Sequence, residues 1–173
     1  MQTVCGCRPR LALPVVLVRQ AEPEDAGNTL ALFRGEAGRT TVAAFGEEVT
    51  PGNHPAIVAE MKGELAGALA YRLWADALHV IAVATDPMWQ RSGVASHLVA
   101  EAEVIARRHG TRRLVHATTN DNLPALYFYQ RRGWTVTEVV PRALIPGGCT
   151  AGAAGFAGIP VRDEVRLEKI LED

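Results

Sequence analysis

The stretch Leu78-His-Val-Ile-Ala-Val-Ala-Thr85-Asp-Pro-Met-Trp-Gln90-Arg-Ser-Gly-Val-Ala95 changes its pattern in the middle. Its first half is almost wholly apolar and rich in β-branched residues. That predicts a strand covered on both faces, central in a sheet. Asp86-Pro87 ends the strand. From Gly93 to His109 the apolar residues Val94, Leu98, Ala102 and Ile105 recur at helical spacing, with Glu101, Glu103, Arg107 and Arg108 on other faces. Gly110 stops this long helix. A strand–loop–helix junction gathers free backbone N–H groups and the positive end of a helix dipole, which suits a phosphate. Gly93 offers no Cβ to hold a phosphate away, Ala95 keeps the next position small, and Arg91 can add charge. The loop is not a P-loop, lacking Gly-Lys-Ser/Thr, and not a dinucleotide fingerprint, lacking the triple-glycine spacing. Spacing alone leaves two readings open: an anion site, or a glycine chosen for packing.

Working outward, Val15–Arg19 reads as a buried strand, and Pro23 with its acidic neighbours as the first turn of a helix carrying Leu30, Leu32 and Phe33. Gly35 and Gly38 break that helix. Residues 39–49 read as a second short helix with Val42, Ala43, Phe45 and Val49 as its apolar positions. Pro51–Pro55 is a loop. Strands follow at 56–61, 65–74 and 78–85, turning at Lys62-Gly63 and Ala75-Asp76. Beyond the long helix lie a strand over 113–118, a helix from about Asn122 to Gly133, a strand over 134–140, a Pro/Gly-rich loop over 141–160 and a last half-buried strand within 161–171. This mixed order predicts an αβ domain with a central sheet flanked by helices.

The chain has 173 residues, 18 basic and 19 acidic, for a formal net charge of −1. One domain is expected over 15–173, preceded by a flexible extension over 1–14. No basic excess is available for a nucleic-acid backbone, and no apolar run reaches the roughly 18 residues of a spanning helix. Cys5, Cys7 and Cys149 read as incidental thiols of a reducing cytosol, and no spacing calls for a metal.

The run Gln90-Arg-Ser-Gly-Val-Ala95 resembles the Gln/Arg-x-x-Gly-x-Gly/Ala signature of the GNAT acetyltransferase superfamily. Asn122-Leu-Pro-Ala125, followed by Tyr129 and Gly133-Trp134, resembles that family's Asn-x-x-Ala…Tyr-x-x-x-Gly-Phe/Trp segment. The resemblance covers roughly residues 15–140 and implies the family's mixed, mostly antiparallel sheet. The ending Gly158–Lys169 is similar to a C-terminal segment of many uncharacterised bacterial members.

The resemblance implies transfer of an acetyl group from acetyl-CoA to a primary amine, by direct attack in a ternary complex. It assigns the pyrophosphate to Arg91, Ser92, Gly93, Val94, Ala95 and Ser96, and the pantetheine arm to Asn122 and to the backbone of Ile81 and Val83, with the Ile81 N–H polarising the thioester carbonyl. Tyr129 falls on the position of the general acid. The position of the family's glutamate base is held by His79, whose imidazole can relay a proton. Water chains to Glu60 or Glu64 are other routes. His54, His97, His109 and His116 fall in no motif and read as packing or surface histidines. The acceptor is expected between residues 25–50 and the loop 141–160, where Glu36, Glu47 and Glu48 offer acidity to a cationic amine. A small-molecule acceptor, a cytoplasmic setting and a homodimer paired through an exposed final strand complete the expectation. The alternatives are a non-catalytic acyl-CoA sensor, which would not need Tyr129, and a protein- or tRNA-directed acetyltransferase, of which the tRNA-directed kind would show a basic face.

Overall fold

The computed structural model describes residues 15–38, 40–145, 147 and 152–172. The extension 1–14 and all the cysteines lie outside the described residues, as does the Glu36 side chain. The centre is a seven-stranded mixed sheet in the order β1-β4-β5-β6-β7-β9-β8. Its strands are β1 (Val16–Gln20), β4 (Ala56–Met61), β5 (Glu64–Trp74), β6 (Ala77–Thr85), β7 (Arg113–Thr119), β8 (Thr135–Val140) and β9 (Glu164–Ile170). Only the β6–β7 pair is parallel. The apolar run of β6 does occupy the middle of the sheet.

Helix α2 (Val94–Arg108) lies along one face. Its buried residues Val94, Leu98, Val99, Ala102, Ile105 and Ala106 pack on Ile57, Met61, Leu78, Val80, Leu114 and Leu167. The same face holds Tyr129 of α3 (Leu123–Gln130) and Trp134. On the other face, Phe33 of α1 (Ala26–Ala37) and Val49 cover Val58, Ala68, Ala70, Ile81 and Ala84. Gly67 on β5 sets how closely α2 approaches. A Cβ there would stand 2.6 Å from Val94 Cγ1 and 2.9 Å from the Ala84 carbonyl oxygen. This glycine therefore lets the first turn of α2 rest directly on the sheet.

Three expectations need correction. Helix α1 runs through Gly35 and ends at Gly38, whose φ of 67° makes it the left-handed cap; one internal glycine weakens a helix without ending it. Residues 39–49 are not a helix. They form the hairpin β2 (Val42–Ala44) and β3 (Glu47–Val49), turning at Phe45 (φ 57°) and Gly46 (φ 80°). Consecutive positive φ values suit the right-handed twist of a tight hairpin. The final strand β9 is not an exposed edge, because β7 and β8 pair with its two sides. The edges are β1 and β8, so dimer pairing through β9 has no free strand to use. Among the described residues, no helix is long and apolar enough to cross a membrane.

Candidate active site

The parallel pairing of β6 with β7 runs only from Ala77↔Arg113 to Val80↔His116. Beyond that rung the strands have no register partners in each other, although β7 stays paired to β9 as far as Thr119↔Glu164. The sheet is therefore split above Val80. On its other side β6 carries a bulge: Tyr71 opposes Val80 while Ala70 opposes Ala82, which leaves Ile81 as the extra residue. Ile81 and Ala82 both contact the α1 side, whereas Val80 and Val83 contact the α2 side. Past the bulge every residue from Ala82 to Thr85 opposes one on β5, and the Asp86 N–H donates to the Ala66 carbonyl, so the hydrogen-bonded pairs of this antiparallel ladder are the alternate ones, Ala84↔Ala68 and Ala82↔Ala70. By strand alternation, the Val83 and Thr85 backbone groups then face the split.

At the top of the split the chain turns into α2. Arg91 has φ 62°, and Gly93, the cap residue, has φ 94°. Among the described residues, no side chain caps this N-terminus. The amides of Val94, Ala95 and Ser96 are thus first-turn donors without helical acceptors. Ser92 Oγ is turned back onto the Trp89 carbonyl, and its second contact is Met61 Sδ at 3.5 Å. Ser96 Oγ accepts from Arg132, whose guanidinium also covers the Phe128 ring at 3.8 Å. Arg91 is exposed. The loop offers backbone donors, with cationic side chains at its rim. This chemistry fits a pyrophosphate.

At the foot of the split lies Tyr129. It is 3% exposed, and its hydroxyl is buried with no hydrogen-bond partner among the described residues. Its ring meets His116 at 4.4 Å, Trp134 at 4.9 Å and Phe128 at 5.1 Å between centroids. Burial raises the phenol above its ordinary pKa, with Arg132 acting the other way. It is a protonated donor at neutral pH. Asn122 caps α3, its Oδ1 accepting from the Ala125 N–H at 3.2 Å, which leaves its amide nitrogen to donate elsewhere.

His79 lies lower on β6, where the strands still pair, opposite Arg72 and Val115. It faces away from Tyr129. Its ring packs against Phe45 at 4.6 Å and Trp74 at 5.4 Å, and its Nδ1 is buried without a partner among the described residues. Burial, then the neighbouring Arg72, pushes its pKa down to about 4, so it is neutral at pH 7. Arg72 Nη2 lies 2.5 Å from Glu47 Oε1 on the hairpin, so Glu47 is already committed to an ion pair. The structure thus gathers the loop 90–96, the open edge of β6, Asn122 and Tyr129 about one split, and sets His79 on the opposite face beneath the hairpin tip.

Two further residues border this site, and no motif marks either. His116 is buried and packed, as expected for a histidine outside the motifs, and it sits on the last rung before the split. Glu164, 1% exposed at the start of β9, accepts from the Gly46 N–H at 3.2 Å and from Arg166 Nε at 2.6 Å. It ties the hairpin tip to the sheet. Its signal was a carboxylate at a position whose neighbours Val165 and Leu167 are core.

The chain is similar to known proteins over this whole frame. It is 29% identical to the uncharacterized protein YdhI of Bacillus subtilis over 119 residues, 64% of this chain and 69% of that protein. A Bacillus subtilis acetyltransferase solved in complex with CoA superposes with a TM-score of 0.69 at 18% identity, covering 91% of this chain and all 100% of the other. A GNAT family acetyltransferase from Elizabethkingia anophelis with acetyl-CoA bound gives 0.65 at 17% identity, covering 90% of this chain and 98% of the other. At such identities the likeness is one of fold. The model of the acetyltransferase (GNAT) family matches residues 27–134, which include the split, the loop and Tyr129. The chain belongs to the acetyltransferase (GNAT) family.

Proposed function

We propose that this protein is an N-acetyltransferase that moves an acetyl group from acetyl-CoA to a primary amine by direct attack in a ternary complex. One observation carries the reading. Among the described residues, the split in the sheet has a helix N-terminus without a side-chain cap at its top and a buried phenol without a partner at its foot. The CoA and acetyl-CoA held by two of the solved relatives support the choice of ligand.

Acetyl-CoA supplies the activated thioester. The free first-turn amides of Val94, Ala95 and Ser96 hold its pyrophosphate, with Arg91 at the rim and Gly93 allowing close approach, while the Ser92 N–H donates to the Trp89 carbonyl at 3.3 Å and shapes the loop. The open edge of β6 at Ile81 and Val83 pairs with the pantetheine arm, and the Asn122 amide nitrogen donates to it. The bulge refines the oxyanion role. Alternation turns the Val83 N–H toward the split, and Ile81 sets the phase of that edge; Val83 is therefore the better donor to the thioester carbonyl. Tyr129 protonates the leaving thiolate. The uncharged His79 imidazole has a lone pair and takes the amine proton, directly or through water. The acceptor enters on the α1 and hairpin face and is a small amine. A supply of acetyl-CoA fits a cytoplasmic setting.

The test is thermal denaturation with and without acetyl-CoA, followed by thiol release across a panel of amines. At a hundred times its dissociation constant, a ligand bound only by the folded state adds about 2.7 kcal/mol. An upward shift that Gly93→Glu abolishes is expected. No shift in the parent at millimolar acetyl-CoA would remove the reading.

A further inference from the structure

The imidazole of His116 touches both halves of the split. Val80↔His116 is the last rung before β6 and β7 part. At that rung His116 Nδ1 lies 2.9 Å from the Val80 carbonyl oxygen, in a buried contact. A carbonyl can only accept, so Nδ1 carries the proton; burial holds the ring below its ordinary pKa, so at pH 7 it is the neutral Nδ1–H tautomer. The ring lies 4.4 Å from that of Tyr129, at an interplanar angle of 34°. On the neighbouring strand, Leu167 opposes His116 and belongs to the same core. The histidine is thus held between the Val80 carbonyl and the Tyr129 ring, 7% exposed, and is not a surface group.

We propose that His116 is a positioning residue for the transfer: its Nδ1–H fastens the last β6–β7 rung while its ring holds Tyr129, so the mouth of the split and the phenol keep one relative placement. This rests on the acetyl-CoA reading of the split. The physical reason is that a rung at the end of a ladder is held on one side only. Without an extra donor on the Val80 carbonyl, that end frays or re-pairs, and the edge over Ile81–Thr85 moves with it. A neutral hydrogen-bonding aromatic meets both demands at this place, whereas an aliphatic side chain would supply only bulk.

Two variants separate the two contacts. His116→Asn keeps an N–H donor at the place of Nδ1 and gives up the ring. His116→Phe keeps the stack and leaves the buried Val80 carbonyl without its side-chain donor. Calorimetric titration of the full chain with acetyl-CoA is expected to give a dissociation constant within about twofold of the parent for Asn, and about tenfold weaker for Phe, the cost of one buried hydrogen bond. This order must hold even if Phe, with the better packing, melts at the higher temperature. Parent-like binding by Phe, or losses that simply follow melting temperature, would overturn the proposal. Should neither variant fold, nitrogen NMR of the parent decides. An Nδ1-protonated ring at pH 7 whose signal shifts on saturation with acetyl-CoA is expected. The Nε2–H tautomer, or a ring signal indifferent to acetyl-CoA, refutes the positioning role. A parent that binds no acetyl-CoA at all removes the reading beneath it as well, and that outcome is separate because it precedes any variant.

Discussion

The two faces of the sheet are built in different ways. On the α2 face, the groups about the split come from two short windows, residues 80–96 and 116–134, and most of them act through backbone geometry: a bulge, a parting of strands, a first helical turn. On the α1 face, the groups come from remote places and act through side chains. The Gly46 N–H reaches Glu164 across 118 positions of sequence, and Arg72 meets Glu47 on the hairpin. A face made of local backbone geometry suits a ligand whose shape never changes. A face assembled from distant loops can be altered one side chain at a time. The difference predicts that substitutions on the first face act on acetyl-CoA, and those on the second on the acceptor.

The sharpest way to break that division is at Gly93. Its φ of 94° belongs to glycine, and space for a Cβ is not the obstacle, since the nearest atoms would be 3.7 Å away in the His97 ring. Gly93→Glu adds backbone strain and a negative charge where the pyrophosphate would lie. Acetyl-CoA affinity should fall by more than about a hundredfold, the effect of two or more lost charge-assisted contacts. Retained affinity, read by the thermal shift, would detach the loop from the cofactor.

Next in size is Tyr129→Phe. Loss of a general acid lowers kcat by about 10²-fold, with the KM for acetyl-CoA nearly unchanged. Stability should move the other way. The hydroxyl is buried without a partner among the described residues, so its removal relieves a desolvated polar group and should raise the melting temperature slightly. A variant that is both unimpaired and unstabilised would mean that the hydroxyl has neither role.

The places of these two residues in the fold were legible from sequence, Gly93 at the start of α2 and Tyr129 in α3, because each sits inside a contiguous motif whose local geometry follows from residue type. The glycine, the long amphipathic helix and the apolar strand before it all say the same thing. The hairpin at 42–49 was not legible. Val42, Ala43, Phe45 and Val49 fit helical spacing as well as they fit two three-residue strands, and Phe45 is a poor signal for a positive-φ turn. The open edge of β6 was legible only through the resemblance, which set the pantetheine arm against Ile81 and Val83. Nothing in the residue types of Arg113–Thr119 marks where pairing with β6 stops, since a register is a relation between two strands. The edge position of β8 was likewise set by where β9 inserted, a tertiary outcome.

Acid should also tell the faces apart. Burial holds His116 at a pKa of about 4, with its bond to Val80 opposing that shift, against an ordinary value of 6.5. Between those values the unfolded chain binds a proton that the folded chain does not, so stability rises with pH there and is lost as pH falls from about 6.5 to 4. The loss is roughly 3 kcal/mol for this one group. Chemical denaturation at pH 7 and pH 4.5 should show it, and His116→Asn should flatten the difference. His79 is shifted in the same direction, to about 4. His79→Gln should therefore flatten the stability curve too. Only His79→Gln, however, should also remove the acid limb of the rate profile, since a proton acceptor must be uncharged to work. An acid limb that survives in the glutamine variant would take the base role from His79.

The smallest effect, and the one that bears most on the acceptor, belongs to Glu164. Its carboxylate is shared between the Gly46 N–H and Arg166, and Arg166 also reaches Glu138 on β8 at 2.7 Å. Glu164→Gln keeps the volume and one acceptor oxygen but removes the charge that balances Arg166. The hairpin tip then loses part of its hold on the sheet, and Phe45, which covers His79, moves with it. The KM for the amine should rise several-fold, about what one weakened buried hydrogen bond supplies, while acetyl-CoA affinity stays at the parent value. Equal losses for both substrates would mean that the hairpin and the split move as one body. The two faces would then be coupled through β9, which carries Glu164 and pairs with β7 along the very residues that border the split.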